Sequence, residues 1–437
     1  MRKITTLIAL TILVGSCRLT KYARFYLSEN HQKPKFDEQI VRHDPENVFQ
    51  FAAGESHFDD LIANIKWQVP DDKRNKYPAS IPLDQYLSEL TKTTAFLVIR
   101  NDSILYERYF DDFDEYSQLP SFSVAKSFTS ALVGIAVEEG YIESIQDPIT
   151  KYVKELNRLA PEWKKLTVAH LLNMQSGIDF NENSYTNPFS TIADLYLKKD
   201  VFKVIRKVTF KHQPGERMYY SSLDTQLLGL IVQRATGQTL AAYMEEKVWT
   251  RIGMESDARW FVDDDKSGVT KAFCCLHPIA RDYAKFGRLY LKGGSWEGQQ
   301  IVPAQWVNRS VQPDIENGCY QYQWYSQDRG VDREKDANGK WQTKMYPDSL
   351  TAVQAIDDPN YQAVLPSVKQ PGKWYIRNCG SAFYALGIFG QEIQVFPEDN
   401  LIFVRLGQRW DTPTRRIIAD IRAVLSDKNQ SMVSVTN

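Results

Sequence analysis

The segment Ser121–Gly140, SFSVAKSFTSALVGIAVEEG, is the stretch on which the fold of this chain is decided. Its apolar residues recur at helical spacing, so it predicts a helix that begins near Ser123 and ends at Gly140. Ser123 and Lys126 are three residues apart and therefore share one face of that helix. A neutral lysine amine at this distance can accept the serine proton, and the positive helix end stabilises a developing oxyanion. A surface helix with a solvated lysine is the alternative, so other segments must decide.

The composition is that of a globular protein with a sizeable core. The chain has 437 residues, of which 43% are hydrophobic and 24% charged, and its net charge is −1. This length predicts two domains, or one large domain with a subdomain. The near-neutral charge gives no reason to expect nucleic acid as a partner. Histidines and cysteines form no metal-ligand motif, and no phosphate-binding glycine pattern occurs, so we expect neither a metal nor a cofactor.

Residues 1–17 predict a bacterial lipoprotein signal peptide. Two basic residues precede an apolar run at 4–14, which is too short to span a bilayer and has the length of a signal-peptide core. The tetrapeptide VGSC, which ends at Cys17, resembles a lipobox, whose cysteine is lipidated; a plain secretory signal is the alternative. We therefore expect a protein of the cell envelope, anchored to the periplasmic or outer side of a membrane through Cys17.

Four further cysteines occur, at Cys274, Cys275, Cys319 and Cys379. Adjacent cysteines seldom bond to each other, because the ring that they form strains the peptide. Export permits disulfides, but connectivity cannot be inferred from spacing. We expect buried free thiols.

Strands are predicted at both ends of the chain, with helices between them. Apolar runs at 95–100 and 104–109 flank a polar turn and predict a hairpin. Strand patterns return near the C-terminus, at 383–389, 391–396 and 401–406, before an amphipathic helix at about 413–425. We therefore predict an α+β fold. It has an antiparallel sheet built from both chain termini, flanked by helices, and an inserted, mostly helical region at about 145–310.

Polar segments mark the limits of the folded domain, which we place at 61–427. Residues 18–60 are polar and irregular and predict a tether and lead-in. Residues 428–437 form a polar tail. Inside the domain, residues 326–373 are rich in turn dipeptides and lack periodicity, which predicts a loop that acts as a substrate-selecting lid.

Two later motifs change the interpretation of the first segment. The segment 214–222, PGERMYYSS, precedes an apolar helical pattern, which places Tyr220 and Ser222 on a loop at the start of a helix. A tyrosine near a lysine ammonium can have its pKa lowered and then carry protons, although packing aromatics are the alternative. On the first C-terminal strand, Gly387 allows close approach of a ligand or of backbone, or else marks a bulge.

The order of these three elements resembles that in serine β-lactamases and penicillin-binding proteins, which carry Ser-x-x-Lys, then Tyr-x-Asn or Ser-Asp-Asn, then Lys-Thr-Gly. Above all, the chain resembles the class C-like serine hydrolase branch, which contains esterases, D-aminopeptidases and 6-aminohexanoate dimer hydrolases. The resemblance implies a β-lactamase/transpeptidase-like fold and spans most of residues 90–410. Five stretches carry it: SFSVAKSFTSALVGIAVEEGYIESIQDPITKY, LTVAHLLNMQSGIDF, PGERMYYSSLDTQLLGLIVQRATG, ARDYAKFGRLYLKGG and FYALGIFGQEIQVFPEDNLIFVRLG.

The resemblance implies a role for each residue of the motifs. Ser123 is expected to be the nucleophile that forms an acyl-enzyme, and Lys126 the base that activates it. Tyr220 is expected to shuttle protons and, with Lys126, to activate the deacylating water. The backbone N–H groups of Ser123 and Ile388 are expected to form the oxyanion hole. Ser222 occupies the polar third position of the tyrosine motif, where class C β-lactamases have asparagine.

One departure from the family pattern bears on the substrate. At the Lys-Thr-Gly position this chain has Ala385-Leu386-Gly387, so the cation that helps penicillin-recognising relatives hold a substrate carboxylate is missing. We therefore expect a small, neutral ester or amide substrate, unless Arg377 supplies the cation. A β-lactamase or D,D-peptidase, and a non-catalytic protein that binds cell-wall fragments, are the alternatives.

Overall fold

The computed structural model describes residues 37–433, apart from 186, 265, 314–316, 337, 368 and 410–412. The predicted signal peptide with Cys17, most of the predicted tether and residues 434–437 lie outside the described residues. The chain divides into two compact units. The helical unit comprises residues 125–247 and 259–276 with those up to 41, and the sheet unit comprises residues 42–124, 248–258 and those from 277 onward. In the described part of the chain, no helix is long and apolar enough to cross a membrane.

Strands and helices alternate in blocks along the chain. The strands are β1 (Glu38–Val41), β2 (Ala52–Ala53), β3 (Lys66–Gln68), β4 (Ser80–Pro82), β5 (Thr93–Arg100), β6 (Ser103–Tyr109), β7 (Ala258–Phe261), β8 (Leu276–His277), β9 (Ser295–Trp296), β10 (Gln299–Gln300), β11 (Tyr320–Gln321), β12 (Trp324–Val331), β13 (Arg333–Lys335), β14 (Trp341–Thr343), β15 (Gln362–Pro366), β16 (Trp374–Gly387), β17 (Gln391–Phe396) and β18 (Leu401–Gly407). The α-helices are α1 (Ser56–Ala63), α2 (Leu83–Gln85), α3 (Ala125–Glu138), α4 (Val168–Leu172), α5 (Thr191–Leu197), α6 (Phe202–Ile205), α7 (Ser222–Thr236), α8 (Leu240–Met244), α9 (Ala280–Leu291), α10 (Ala304–Val311), α11 (Ser349–Gln354) and α12 (Thr414–Val433). Short 3-10 turns include Phe122–Val124 before α3 and Ile388–Gly390 after β16.

The sheet unit is built on one large sheet. Among the described residues it has nine strands, in the order β11-β12-β16-β17-β18-β5-β6-β2, with β15 also paired to β16. The pairings are antiparallel except that of β2, which runs parallel to β6. Strand β18 pairs directly with β5, so the two ends of the domain meet in the sheet. The predicted α+β fold, with its sheet drawn from both chain termini, is therefore confirmed.

The predicted hairpin is present as β5 and β6. Its turn consists of Asn101 and Asp102, whose φ angles are 52° and 59°. A two-residue turn that matches the twist of the strands needs positive φ at both positions, and Asn and Asp tolerate this better than most residues. The strands therefore leave the turn in register, with Arg100 opposite Ser103.

Helices cover both faces of the central strands, which explains why these strands are almost continuously apolar. On one face α9 packs against β17, β18 and β5. On the other, Phe96 of β5 and Phe403 of β18 share a core with Ile417 and Ile421 of α12. Burial of each such side chain contributes roughly 1.5–3 kcal/mol. Helix α12 runs past the predicted end at 425, to Val433.

The segment 326–373 is not the irregular loop that its composition predicts. It contains most of β12, together with β13, β14, α11 and β15, and β12 pairs with β16. From Gln327 onward the side chains of β12 are largely exposed. A strand without a buried face needs no alternation of apolar and polar residues, so its sequence carries no strand signal.

Two helices form the centre of the helical unit. Every residue of α3 from Ala125 to Ala136 is buried, as is every residue of α7 from Ser222 to Gln233, and the two helices pack together. Helices covered on all sides are apolar around their whole circumference. The polar side chains that they do carry lie in the interior, and Lys126 and Ser222 of the candidate site are among them.

The cysteines form two disulfides, Cys319–Cys379 in the sheet unit and Cys274–Cys275 in the helical unit, so the expectation of free thiols is wrong. Cys319 precedes β11 and its carbonyl accepts from the Ser326 backbone N–H of β12, while Cys379 of β16 pairs with Asp328 of β12, so β12 brings the two cysteines together across 60 residues of sequence. At the adjacent pair, Cys275 has a φ of 69°, and the carbonyl of Cys274 accepts a hydrogen bond of 2.9 Å from Trp260 Nε1. The surrounding structure thus holds a turn that two neighbouring cysteines rarely adopt.

Candidate active site

Ser123 lies where the sequence predicts it, at the start of a helix. It belongs to the 3-10 turn Phe122–Val124, which continues directly into α3, and 8% of its surface is exposed. Phe122 has a φ of 44°, which is uncommon for a bulky residue, so the turn before Ser123 is sharp. Such a turn places a side chain and its backbone N–H at the positive end of the helix, where an anion is stabilised.

The glycine that ends β16 packs directly against this turn. A Cβ atom at Gly387 would lie 2.6 Å from the carbonyl oxygen of Ser121, so only glycine fits there. The rings of Phe122 and Phe389 lie 5.4 Å apart and close the contact from the other side. Within the sheet unit, the strand end that carries Gly387 and Ile388 therefore lies beside the turn that carries Ser123. This is the close backbone approach that a strand glycine permits.

On β16, no cation occupies the position at which the family motif has lysine. Ala385 is buried and pairs with Ile393. Arg377 lies ten residues before Gly387 on the same strand, which is about 30 Å at the rise of an extended chain. Its guanidinium donates to Asp328 at 2.6 Å. Arg377 is therefore not a substitute for the missing cation.

Lys126, Tyr220 and Ser222 come together in the helical unit. Only 2% of Lys126 is exposed, and its Nζ donates to Ser222 Oγ at 3.0 Å and to the Phe273 carbonyl at 3.1 Å. The same Nζ lies 5.2 Å from the centre of the Tyr220 ring. Ser222 is the first residue of α7 and Tyr220 lies in the loop before it, as the sequence predicts.

Burial prepares this lysine to act as a base. It lowers the pKa of Lys126 to about 8, because the charged amine loses its hydration, while the nearby Glu182 carboxylate opposes the shift. An amine with such a pKa is partly neutral near neutral pH. A base works best when its pKa lies close to the pH at which it operates.

Glu182 is a member of the site that the sequence analysis missed. Its carboxylate accepts hydrogen bonds from the Ser222 backbone N–H at 2.8 Å, from Ser222 Oγ at 2.6 Å and from the Tyr185 hydroxyl. It lies in a loop after α4, 40 residues before Ser222, and no motif or periodicity marks it. The stretch SGIDFNENSY holds two acidic residues, Asp179 and Glu182, and nothing in the sequence distinguishes the one that joins the site.

A second buried carboxylate, that of Asp224, lies two residues after Ser222 in the same helix. Asp224 of α7 is fully buried, and its Oδ1 accepts from Ser176 Oγ at 2.7 Å. Burial raises the pKa of Asp224 to about 7. This residue is therefore able to change charge near neutral pH.

The chain is similar to known proteins both in sequence and in structure. The beta-lactamase family model matches residues 83–427. By sequence, a 6-aminohexanoate-dimer hydrolase of Paenarthrobacter ureafaciens is 26% identical over 365 residues, which cover 81% of this chain and 82% of the relative. By structure, a putative 6-aminohexanoate-dimer hydrolase from Bacillus anthracis has a TM-score of 0.68 at 22% identity, covering 93% of this chain and 95% of that chain. A penicillin-binding protein from Bacillus halodurans has a TM-score of 0.51 at 17% identity, covering 78% and 99%. At these identities the structural likeness establishes the fold.

In the described part of the chain, no group of three or more His, Cys, Asp or Glu side chains could hold a metal ion.

Proposed function

The chain belongs to the beta-lactamase family and is a serine hydrolase, and on that premise we propose that it cleaves a small linear amide or ester through an acyl-serine intermediate. The observation that carries the proposal is the buried Lys126, which is held by Ser222 and the Phe273 carbonyl and has its pKa lowered towards neutrality. A surface lysine is exposed to solvent and keeps its ordinary pKa. A buried lysine held by hydrogen bonds beside a helix start is suited to proton transfer.

In the proposed acylation, Lys126 takes the proton of Ser123 while Oγ attacks the substrate carbonyl. The two residues belong to one uninterrupted helical segment, Phe122–Glu138, so the chain itself sets them about one turn apart. The oxygen that becomes negative accepts from the backbone N–H groups of Ser123 and Ile388. Fixed donors of this kind stabilise the charge without reorganisation during the reaction.

The leaving group then departs with a proton that Tyr220 delivers. The Tyr220 ring lies beside Lys126, with its centre 5.2 Å from Nζ, and in the proposed mechanism the tyrosine recovers its proton from this lysine. In deacylation, water attacks the ester carbonyl of acyl-Ser123 while Lys126, oriented together with Tyr220, accepts one proton of the water; this proton then passes to Ser123 Oγ as the ester C–O bond breaks. Ser123 leaves as the alcohol, the acid is released and the enzyme returns to its starting state.

The missing cation on β16 supports the proposed class of substrate. A substrate with a carboxylate beside the scissile bond needs a cation to hold it, and here Ala385 stands at the family position while Arg377 is paired with Asp328. A neutral acyl group needs no such partner. The relatives named as 6-aminohexanoate-dimer hydrolases support a linear amide as the substrate.

We further propose that the protein is exported and attached to a membrane by a lipid on Cys17. This proposal rests on residues 1–17, with their basic start, short apolar run and lipobox-like end.

The central experiment compares the wild-type protein with Ser123→Ala and with Ser130→Ala, a matched control in the same helix. Ser130 Oγ is buried without a hydrogen-bond partner among the described residues, so its removal leaves no group unpaired. Each protein is mixed with a short-chain p-nitrophenyl ester, a linear amide or a penicillin. Nitrophenol release and intact mass are then followed.

We expect ester turnover and an acyl adduct on Ser123 in the wild-type protein and in Ser130→Ala. Ser123→Ala should show neither turnover nor an adduct. Turnover retained by Ser123→Ala would contradict the acyl-serine mechanism. A lasting penicillin adduct on Ser123 without ester turnover would assign the chain to penicillin binding instead.

A further inference from the structure

The direction of the hydrogen bonds around Ser222 is fixed by Glu182. Glu182 is 4% exposed, and an ionised carboxylate can only accept hydrogen bonds. The single hydroxyl proton of Ser222 is therefore given to Glu182 Oε1, at 2.6 Å. The lone pairs of Ser222 Oγ remain to accept from Lys126 Nζ, at 3.0 Å. The Ser222 hydroxyl thus has one orientation, which the carboxylate sets.

This orientation determines how the Lys126 amine is held. A neutral amine has two N–H protons, and Ser222 Oγ and the Phe273 carbonyl each offer an acceptor for one of them. With both protons placed, the remaining tetrahedral direction is the one in which the amine takes or gives a proton. If Ser222 turned its own proton towards Lys126, the same lone pair would be used to accept that proton.

Glu182 is also the negative charge that acts on Lys126. Burial lowers the pKa of Lys126, and the Glu182 carboxylate works against this shift. Glu182 likewise raises the pKa values of its neighbours Tyr185, Tyr196 and Asp224. Other groups that face the pair are the Tyr220 and Phe273 rings, with centres 5.2 and 5.6 Å from Nζ.

We infer that Glu182 is a positioning residue of this hydrolase: through Ser222 it holds the Lys126 amine in the orientation that proton transfer requires. The inference rests on the function proposed above, in which Lys126 is the base. Glu182 itself need not touch the substrate. Loss of a hydrogen bond to a charged group changes a free energy by about 1.5–3 kcal/mol, which corresponds to roughly tenfold to a hundredfold in rate.

The test is the pH dependence of acylation in Glu182→Gln, with Glu138→Gln as the matched control. Glu138 is exposed at the end of α3 in the same unit. Glutamine keeps the shape of Glu182 but loses its charge and can donate to Ser222, which frees the Ser222 proton to turn towards Lys126. We expect the acidic limb of the profile to move to lower pH and the plateau rate to fall tenfold to a hundredfold. Glu138→Gln should reproduce the wild-type profile.

Two further measurements separate this inference from the proposed function and from misfolding. Trace acetylation of Lys126 at each pH, followed by peptide mass spectrometry, reports the titration of the amine without a substrate. In Glu182→Gln it should also move to lower pH. If no ester acylates the wild-type protein, the proposed function fails, while the acetylation profile still decides about Glu182.

If Glu182→Gln does not fold, Ser222→Ala removes the same relay with a smaller change. It should lower the plateau by the same factor. A folded Glu182→Gln in which neither the acidic limb, the plateau nor the acetylation profile moves would overturn the inference. A wild-type plateau in Ser222→Ala would do the same.

Discussion

Replacement of Gly387 with alanine should lower kcat/KM about a hundredfold, because the new methyl group would push apart the two backbone segments that we assign to the oxyanion hole. The added Cβ would lie 2.6 Å from the Ser121 carbonyl oxygen, and ordinary contact begins at 3.4 Å. The strand end must therefore retreat by about 0.8 Å from the turn that carries Ser123. Misplacement of a reacting group by about 1 Å costs roughly a hundredfold, and loss of one oxyanion donor costs a hundredfold to a thousandfold.

The assay is single-turnover acylation with a p-nitrophenyl ester, measured beside thermal unfolding. The rate of acylation should fall, while substrate binding changes little, because the N–H group of Ile388 acts mainly on the charge that forms during attack. Forcing a methyl group into this contact should also cost about 1–3 kcal/mol of unfolding free energy. The two effects need separate controls.

Gly372→Ala separates lost stability from lost geometry. Gly372 has a φ of +81° and a Cβ there would meet nothing within 4 Å, so alanine strains the backbone without displacing a neighbour. This variant should lose stability and keep its acylation rate. If Gly387→Ala acylates within threefold of the wild-type rate while its structure is intact, the assignment of the oxyanion hole to Ser123 and Ile388 is refuted.

Two other predictions concern different parts of the chain. Asp224→Asn should leave the free energy of unfolding nearly unchanged below pH 4, raise it progressively between about pH 4 and pH 7, and keep a constant gain above pH 7, because the pKa of Asp224 is raised from 3.8 to about 7 and the unfolded chain alone ionises this residue in that interval. Urea unfolding at several pH values measures this, and a difference between variant and wild type that does not depend on pH would contradict it. Cys17→Ala should move the protein from the membrane fraction to the soluble fraction of a bacterial expression host, and equal membrane retention of both forms would refute lipid attachment at Cys17.

Local signals made several features predictable from the sequence. Two apolar runs around an Asn-Asp turn predict the hairpin at 93–109, and helical periodicity predicts α3. The Pro-Gly turn followed by a helical pattern predicts that Tyr220 lies in a loop just before α7. Each of these features depends on residues that are close together in sequence, where steric rules and spacing are sufficient.

Features that depend on distant contacts were not predictable. Glu182 matters because folding brings it to Ser222 across 40 residues, and a single acidic residue in a loop carries no sign of that contact. From Gln327 onward in β12, and in β13 and β14, the side chains are largely exposed, so these strands carry no alternation. The bond between Cys319 and Cys379 likewise follows from the way that β11 and β16 both pair with β12.

The Cys274–Cys275 disulfide makes the host compartment part of the experiment. The ring begins immediately after Phe273, whose carbonyl accepts from Lys126, so the two sulfur atoms constrain the peptide on which the base depends. Cytosolic expression keeps thiols reduced, whereas secretion to an oxidising space allows the bond to form. Protein prepared by the two routes can therefore differ in the oxidation state of this cysteine pair. Each preparation used for kinetics needs a thiol titration.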